Sequence, residues 1–171
     1  AMNSSHLSII DEASNALIKI SKSQNLDKEY LMQIEESILL LAQRAFQLHL
    51  FKSTILNDPH SILLNDHIDY DLSIITPVLL KLGTLKEPDI PIEKYIHYVK
   101  SNDKELLPLV LELVDSTFTS RSKKYILPLI DPEIKPSKIA IGLFETKFLP
   151  KDELLLLWMK SNHNWKKIIS L

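Results

Sequence analysis

Glycine is the residue whose scarcity most constrains the fold of this 171-residue chain, which contains only Gly83 and Gly142. Tight β-hairpin turns and phosphate-binding loops both depend on glycine, because they need backbone conformations or close approaches that other residues disfavour. The chain therefore has little capacity for hairpins or for a nucleotide-binding loop. An α-helix needs no glycine in its interior, so helices are the favoured elements.

Apolar residues recur with the period of an α-helix, which predicts an all-α fold. The pattern predicts a first helix over residues 6–22 and a long helix over 26–56 that forms the spine of the fold. The stretch NDPHSILLNDHIDYD, residues 57–71, is predicted to be a break, with one short turn of helix at 60–64. A helix over 68–82 follows, kinked or started by Pro77 and capped by Gly83 in the left-handed conformation. Shorter helices are predicted over 91–100, 103–116, 120–130, 137–146, 151–161 and from 164 onward.

The spacing of the short helices predicts antiparallel pairs stacked in an irregular HEAT-like array, an α-α superhelix. We take the chain as a single all-α domain with a long-helix part, residues 3–89, and a part made of HEAT-like helix pairs, residues 90–171. The segment 104–130 provides a test of this hypothesis. Its two helices should be antiparallel neighbours that bury Leu106, Leu107, Val110, Leu113, Val114, Tyr125, Ile126, Leu129 and Ile130.

The two ends of the sequence are expected to be those of a fragment cut from a longer protein. Ala1 precedes Met2, as in the remnant of a cleaved expression tag, and the final helical pattern stops at Leu171 without a cap. The first residues lack the basic region and continuous apolar core of a signal peptide. No stretch offers the roughly 18 uninterrupted apolar residues that predict a transmembrane helix.

Charge and cysteine content exclude several classes of function. The net charge is −2 and the only arginines are Arg44 and Arg121, so the sequence provides no basic surface for a nucleic acid. The absence of cysteine excludes disulfides, thiolate catalysis and cysteine-ligated zinc. No cofactor is predicted.

The histidines His60 and His67 are the only metal-ligand candidates, and both are weak. They lie in the predicted break beside several aspartates, which are suitable ligands for a hard or borderline metal. The spacing matches no known ligand motif, however, and aspartate and histidine are equally typical of an exposed loop. The chain also lacks a Gly-x-Ser-x-Gly elbow and a Glu-x-x-His pair, so we predict no catalytic residue and no enzyme activity.

Five residues are candidates for interaction or packing. The basic stretch SRSKK contains Arg121, Lys123 and Lys124, which can meet an acidic partner or a lipid phosphate, or can form the solvated start of a helix. Trp158 is expected in the core. Trp165 is expected to pack one helix pair on the next or to belong to a buried interface.

The segments ELLPLVLELVDSTFTSRSKKYILPLID and DELLLLWMKSNHNWKKIISL occur in this order with a linker between them. In this order they resemble the HEAT-like helical domain of bacterial proteins related to the ATP/ADP carrier family, over residues 26–171. The arginines usual in that family are replaced by lysines in this sequence or are missing. The resemblance implies a cytosolic helical appendage of a nucleotide-transporter-like membrane protein, and it carries over no substrate-binding residues.

The sequence thus favours a non-catalytic scaffold or regulatory domain in the cytoplasm that contacts a protein partner or its own membrane domain. The apolar stripe of the long helix can also pair across a dimer. The alternative is a regulatory module that binds a small molecule or nucleotide. Its pocket would lie between the long helix and the short pairs, near His49 and the loop that contains His60 and His67.

Overall fold

The structure, a computed structural model, describes residues 4–55, 61–101, 103–144, 152–153 and 156. Every regular element within these residues is an α-helix, so the predicted all-α class is confirmed. The helices are α1 (Ser4–Ser23), α2 (Lys28–Ile55), α3 (Ile62–Gly83), α4 (Ile92–Ser101), α5 (Leu107–Thr117), α6 (Ser120–Ile130) and α7 (Pro136–Phe144). The helices predicted from residue 151 onward lie outside the described residues, apart from 152, 153 and 156.

The predicted break is wrong over residues 62–67, because α3 already begins at Ile62 and not at residue 68. The composition of this stretch is typical of a loop, yet Leu64 and Ile68 lie one helical turn apart and both are buried. Asp71, on the same side of the helix, is buried as well. Pro77 lies inside α3 and does not mark its start.

The left-handed cap predicted at Gly83 is also wrong. Gly83 is the last residue of α3 and does not have a positive φ angle, and Thr84 ends the helix with φ −93°. The Thr84 hydroxyl donates to the Leu80 carbonyl oxygen at 3.1 Å. Gly83 is instead required by packing, because a Cβ at this position would overlap the ring of Phe118, which caps the C-terminus of α5.

The long helix α2 is the centre of the fold, as predicted. It packs against α3, α6 and α7, while α1 packs against α3 and α4 bridges α3 and α5. One buried apolar cluster extends from Leu7 in α1 to Ile130 in α6. A smaller cluster joins α2 to α7, where the rings of Phe46 and Phe144 lie 5.5 Å apart.

The helix pair formed by residues 107–130 has the predicted burial. Helices α5 and α6 contact each other through a connection of two residues, Phe118 and Thr119. The predicted inward residues are buried or half-buried, the fully buried ones being Leu107, Val110, Leu113, Val114, Ile126 and Ile130. Helix α6 has the predicted bounds, and its N-cap is Thr119, whose side chain accepts a hydrogen bond from the Ser122 N–H.

A HEAT-like arrangement of these helices is not confirmed. In a linear array of repeats, each helix pair contacts only its neighbours. Here α2 contacts α6 and α7 in addition to α3. The chain therefore returns to its long helix after α5, and both parts of the sequence contribute to one core.

Candidate functional site

A small cleft lies between α2 and the turn that connects α5 to α6. Its walls come from α2, the end of α3 and the α5–α6 turn, and the residues that line it include Glu35, Gly83, Lys86, Phe118, Thr119 and Ser122. The cleft has a volume of about 30 Å³. A cavity needs roughly 10–15 Å³ to hold one water molecule, whereas pockets for drug-sized ligands measure roughly 300–1,000 Å³.

The polar side of the cleft is formed by the N-cap of α6, which is hydrogen-bonded to α2. The Thr119 hydroxyl donates to Glu35 Oε1 at 2.5 Å, and the Ser122 hydroxyl lies 3.5 Å from the same oxygen. The carboxylate of Glu35 therefore lies at the N-terminus of α6, where the helix dipole favours a negative charge. These contacts anchor α6 on α2. The described residues that line the cleft include no histidine that could activate either hydroxyl.

A polar seam runs between the facing sides of α2 and α3. Arg44 Nη2 lies 2.9 Å from Asp71 Oδ2, and the Asp71 side chain is completely buried. Lys52 pairs with Asp69 further along the same two helices. Since the desolvation of a buried ion pair offsets much of its attraction, this pair fixes how α2 and α3 align more than it stabilises the fold.

His49 lies in this seam and is neutral at physiological pH. The pKa of His49 is lowered to about 4, mainly by burial and also by the nearby positive charge of Lys52, while Asp69 opposes the shift. A neutral imidazole could serve as a base or a metal ligand. The described residues, however, contain no group of three or more histidine, aspartate or glutamate side chains that could hold a metal ion.

The metal candidates from the sequence are only partly covered by the structure. His67 lies on α3 and is half-buried, whereas His60 lies outside the described residues. Of the aspartates near them, Asp66 is exposed and Asp71 is held by Arg44. The described part of the chain thus places His67 on a helix, in contrast to the predicted loop.

The basic stretch predicted to meet a partner has contacts within the chain. Arg121 pairs with Glu36 at 2.8 Å, and Lys123 pairs with Asp115 at 3.0 Å. The Lys124 ammonium lies 5.9 Å from the ring of Tyr125. Two of the three cations therefore connect α6 to its neighbours. The other interaction candidates, Trp158 and Trp165, lie outside the described residues.

Sequence reasoning missed the buried charges. Lys81 is almost fully buried on α3, where its ammonium lies 3.0 Å from Asp11 and 3.8 Å from Glu93. It thereby connects α1, α3 and α4. A signal was available, because Lys81 and Arg44 both interrupt runs of apolar residues that face inward. Charged residues at such positions are almost always paired.

Large apolar side chains are exposed on several helices, among them α3 and α1. On α3 they are Ile62 and Leu63, exposed by 64% and 67%, together with Tyr70 about two turns further on. On α1 they are Ile9 and Ile20. Single exposed apolar residues are common, but groups on one helix face are typical of interaction surfaces.

Comparisons with protein families, with curated proteins and with solved structures found no match to this chain. None of the helices in the described residues is long and apolar enough to cross a membrane. The resemblance to the carrier-associated helical domain therefore stays a prediction.

Proposed function

We propose that this chain is a non-catalytic helical scaffold that presents helix faces to a protein partner. The observation that carries the proposal is the outer face of α3, where Ile62, Leu63 and Tyr70 are each more than half exposed. Their spacing places them on one side of the helix. An apolar helix face of this kind is suited to bind a groove or another helix of a partner.

The charge of this face indicates the chemistry of the partner. Asp66 and Asp69 are exposed among the apolar residues, and Asp69 pairs with Lys52 of α2. A surface with acidic residues at its rim complements a basic protein segment. It repels the anionic headgroups of a membrane surface, so a protein is the better partner.

The particular partner we propose is the membrane domain of the same protein, with the HEAT-like helical part facing the cytoplasm. This rests on the resemblance to the helical domain of carrier-related proteins. The test is to determine the sequence of the complete reading frame from which this region derives. It should encode apolar segments of about 20 residues next to this region, and their absence would refute the link to a transporter.

The contact itself is tested by co-expressing this region with the remainder of its reading frame and measuring co-purification. Leu63→Glu and Tyr70→Glu should each lower the recovered complex, because they bury a charge in the contact. Leu109→Glu is the matched control, since Leu109 is an exposed apolar residue on a different helix, α5. Equal recovery of all three variants with the unchanged chain would contradict a role for the α3 face.

The alternative function is a regulatory module that binds a small molecule or nucleotide. The structure has a cleft between the long helix and a short pair, but the volume of this cleft is only about 30 Å³. A thermal-shift screen with nucleotides and divalent metals distinguishes the two functions. A ligand at 100 times its dissociation constant stabilises a protein by about 2.7 kcal/mol. We expect no such shift, and a reproducible one would favour the alternative.

A further inference from the structure

Helix α1 exposes an apolar stripe on the side opposite its contact with the core. Leu7, Ser14 and Ser21, each seven residues apart, are buried against the rest of the fold. The stripe is formed by Ile9, Ala13, Ala16 and Ile20, all of which are exposed. Within the described part of the chain, α3 is the main helix that packs against α1, and the stripe lies on the side of α1 away from this contact.

The spacing of the stripe is that of a coiled-coil seam. The intervals of four, three and four residues from Ile9 to Ile20 place apolar side chains at successive a and d positions of a heptad. The seam is about 16 Å long, and its two large residues lie at the ends with the two alanines between them. In an antiparallel pair of such helices, Ile9 meets Ile20 of the second helix and Ala13 meets Ala16, so the shapes are complementary.

The charges beside the stripe are complementary in the same arrangement. Glu12 and Lys19 are both exposed on one flank of the stripe. They are two turns apart, about 10 Å along the axis, so they are too distant to pair within one helix. In the antiparallel pair, Glu12 lies on the same flank as Lys19 of the second copy, with a difference in height of about 3 Å. Two ion pairs therefore form across the seam.

We propose that the outer face of α1 binds a second copy of this chain, as an antiparallel pair of α1 helices centred between Ser14 and Asn15. This surface is separate from the α3 face assigned to the partner. A single pair of helices buries less than the roughly 1,200 Å² of a standard stable interface. We therefore expect a weak dimer, with a dissociation constant of roughly 10–100 μM.

The first test is sedimentation velocity of the chain over a concentration range from about 5 to 500 μM, which spans the expected constant. Monomer should convert to dimer across this range. Ala16→Glu should raise the dissociation constant at least tenfold, because it introduces two charges at the centre of the seam. Ser8→Glu is the matched control, since it adds the same side chain to an exposed position of α1 outside the stripe, and it should leave the constant unchanged. Equal far-UV circular dichroism and melting temperatures show that the variants fold.

The second test establishes the direction of the pair by charge reversal. In a dimer of the Glu12→Lys variant, each of the two contacts across the seam joins two lysines. In a dimer of the Lys19→Glu variant, each contact joins two glutamates. Each variant alone should therefore dimerise several-fold more weakly at low salt. An equimolar mixture of the two variants should restore dimerisation, because every contact then joins a lysine to a glutamate. In a parallel pair, Glu12 would approach Leu17 of the second copy, and mixing would restore nothing.

Three results would overturn the proposal. The first is a chain that stays monomeric at 500 μM. The second is a dimer that Ala16→Glu leaves intact, which would place the interface elsewhere. The third is a dimer for which mixing the two charge variants gives no recovery, which would exclude the antiparallel register. None of these results depends on the binding of a partner by α3.

Discussion

Replacement of Gly83 by alanine tests the closest approach between two helices in the structure. An alanine Cβ would overlap the ring of Phe118, and even the ring atom Cε2 would be 2.6 Å away. Two other ring atoms would be closer still, and carbon atoms in contact normally lie about 3.5–4.0 Å apart, so the ring must retreat by well over about 1 Å. Phe118 is nearly fully buried and belongs to the main apolar cluster, so it has little room to move.

The expected magnitude follows from two opposing effects. Overpacking of a core typically destabilises by about 1–3 kcal/mol. Replacing glycine in a helix gains up to about 1 kcal/mol, because the unfolded chain loses conformational freedom. We therefore expect Gly83→Ala to lower the free energy of unfolding by about 1–2 kcal/mol. For a chain of this size, that corresponds to a decrease of about 2–8 °C in melting temperature.

The assay is urea unfolding of four chains: the unchanged protein, Gly83→Ala, Phe118→Leu and the double variant. Leucine removes the ring, so Gly83→Ala should be neutral or stabilising in the Phe118→Leu background, and the coupling free energy should exceed about 1 kcal/mol. Gly142→Ala is the control, because a Cβ at that exposed position of α7 has no described atom within 4 Å apart from its chain neighbours and its own helix backbone. It should stabilise slightly. The steric explanation fails if Gly83→Ala has the same effect with and without the Phe118 ring.

Three further predictions concern the buried ionisable side chains Asp71, Lys81 and His49. Asp71→Asn removes the carboxylate that faces Arg44 and should destabilise by roughly 3 kcal/mol in urea unfolding at pH 7; a loss below 1 kcal/mol would contradict a buried ion pair. Lys81→Met should be within about 1 kcal/mol of the unchanged chain or more stable, since methionine fills the same space and the partner Asp11 is partly solvated. His49 has a pKa lowered to about 4, so the unfolded chain binds its proton first as the pH falls from about 6.5. The part of the stability due to neutral His49, about 2–3 kcal/mol, should be present above pH 6.5 and lost by pH 4. His49→Gln should remove this part of the pH dependence, and parallel pH profiles of both chains would contradict the burial of a neutral imidazole.

The sequence predicted the helices better than it predicted the site. The long helix, the bounds of α6 and the inward residues of α5 and α6 all follow from apolar periodicity, since side chains four residues apart share a face. The α3 start was missed because its polar residues are typical of a loop, although Leu64 and Ile68 already had helical spacing. A pocket between the long helix and the short pairs was proposed as an alternative, but near His49, whereas the cleft lies beside Glu35. The role of Gly83 was not predicted.

Scarcity of glycine and a helical period determined that the described part of this chain is all-α, because helical hydrogen bonds join residues only four apart. The tertiary structure alone decided which helices meet. The hydroxyl of Thr119 and the carboxylate of Glu35 are 84 residues apart in the sequence, yet their hydrogen bond holds α6 on α2. No local pattern specifies such a contact, because many arrangements of the same amphipathic helices bury similar apolar surface. Close contacts such as that of Gly83 with Phe118, and paired charges such as Arg44 and Asp71, occur in only one of these arrangements.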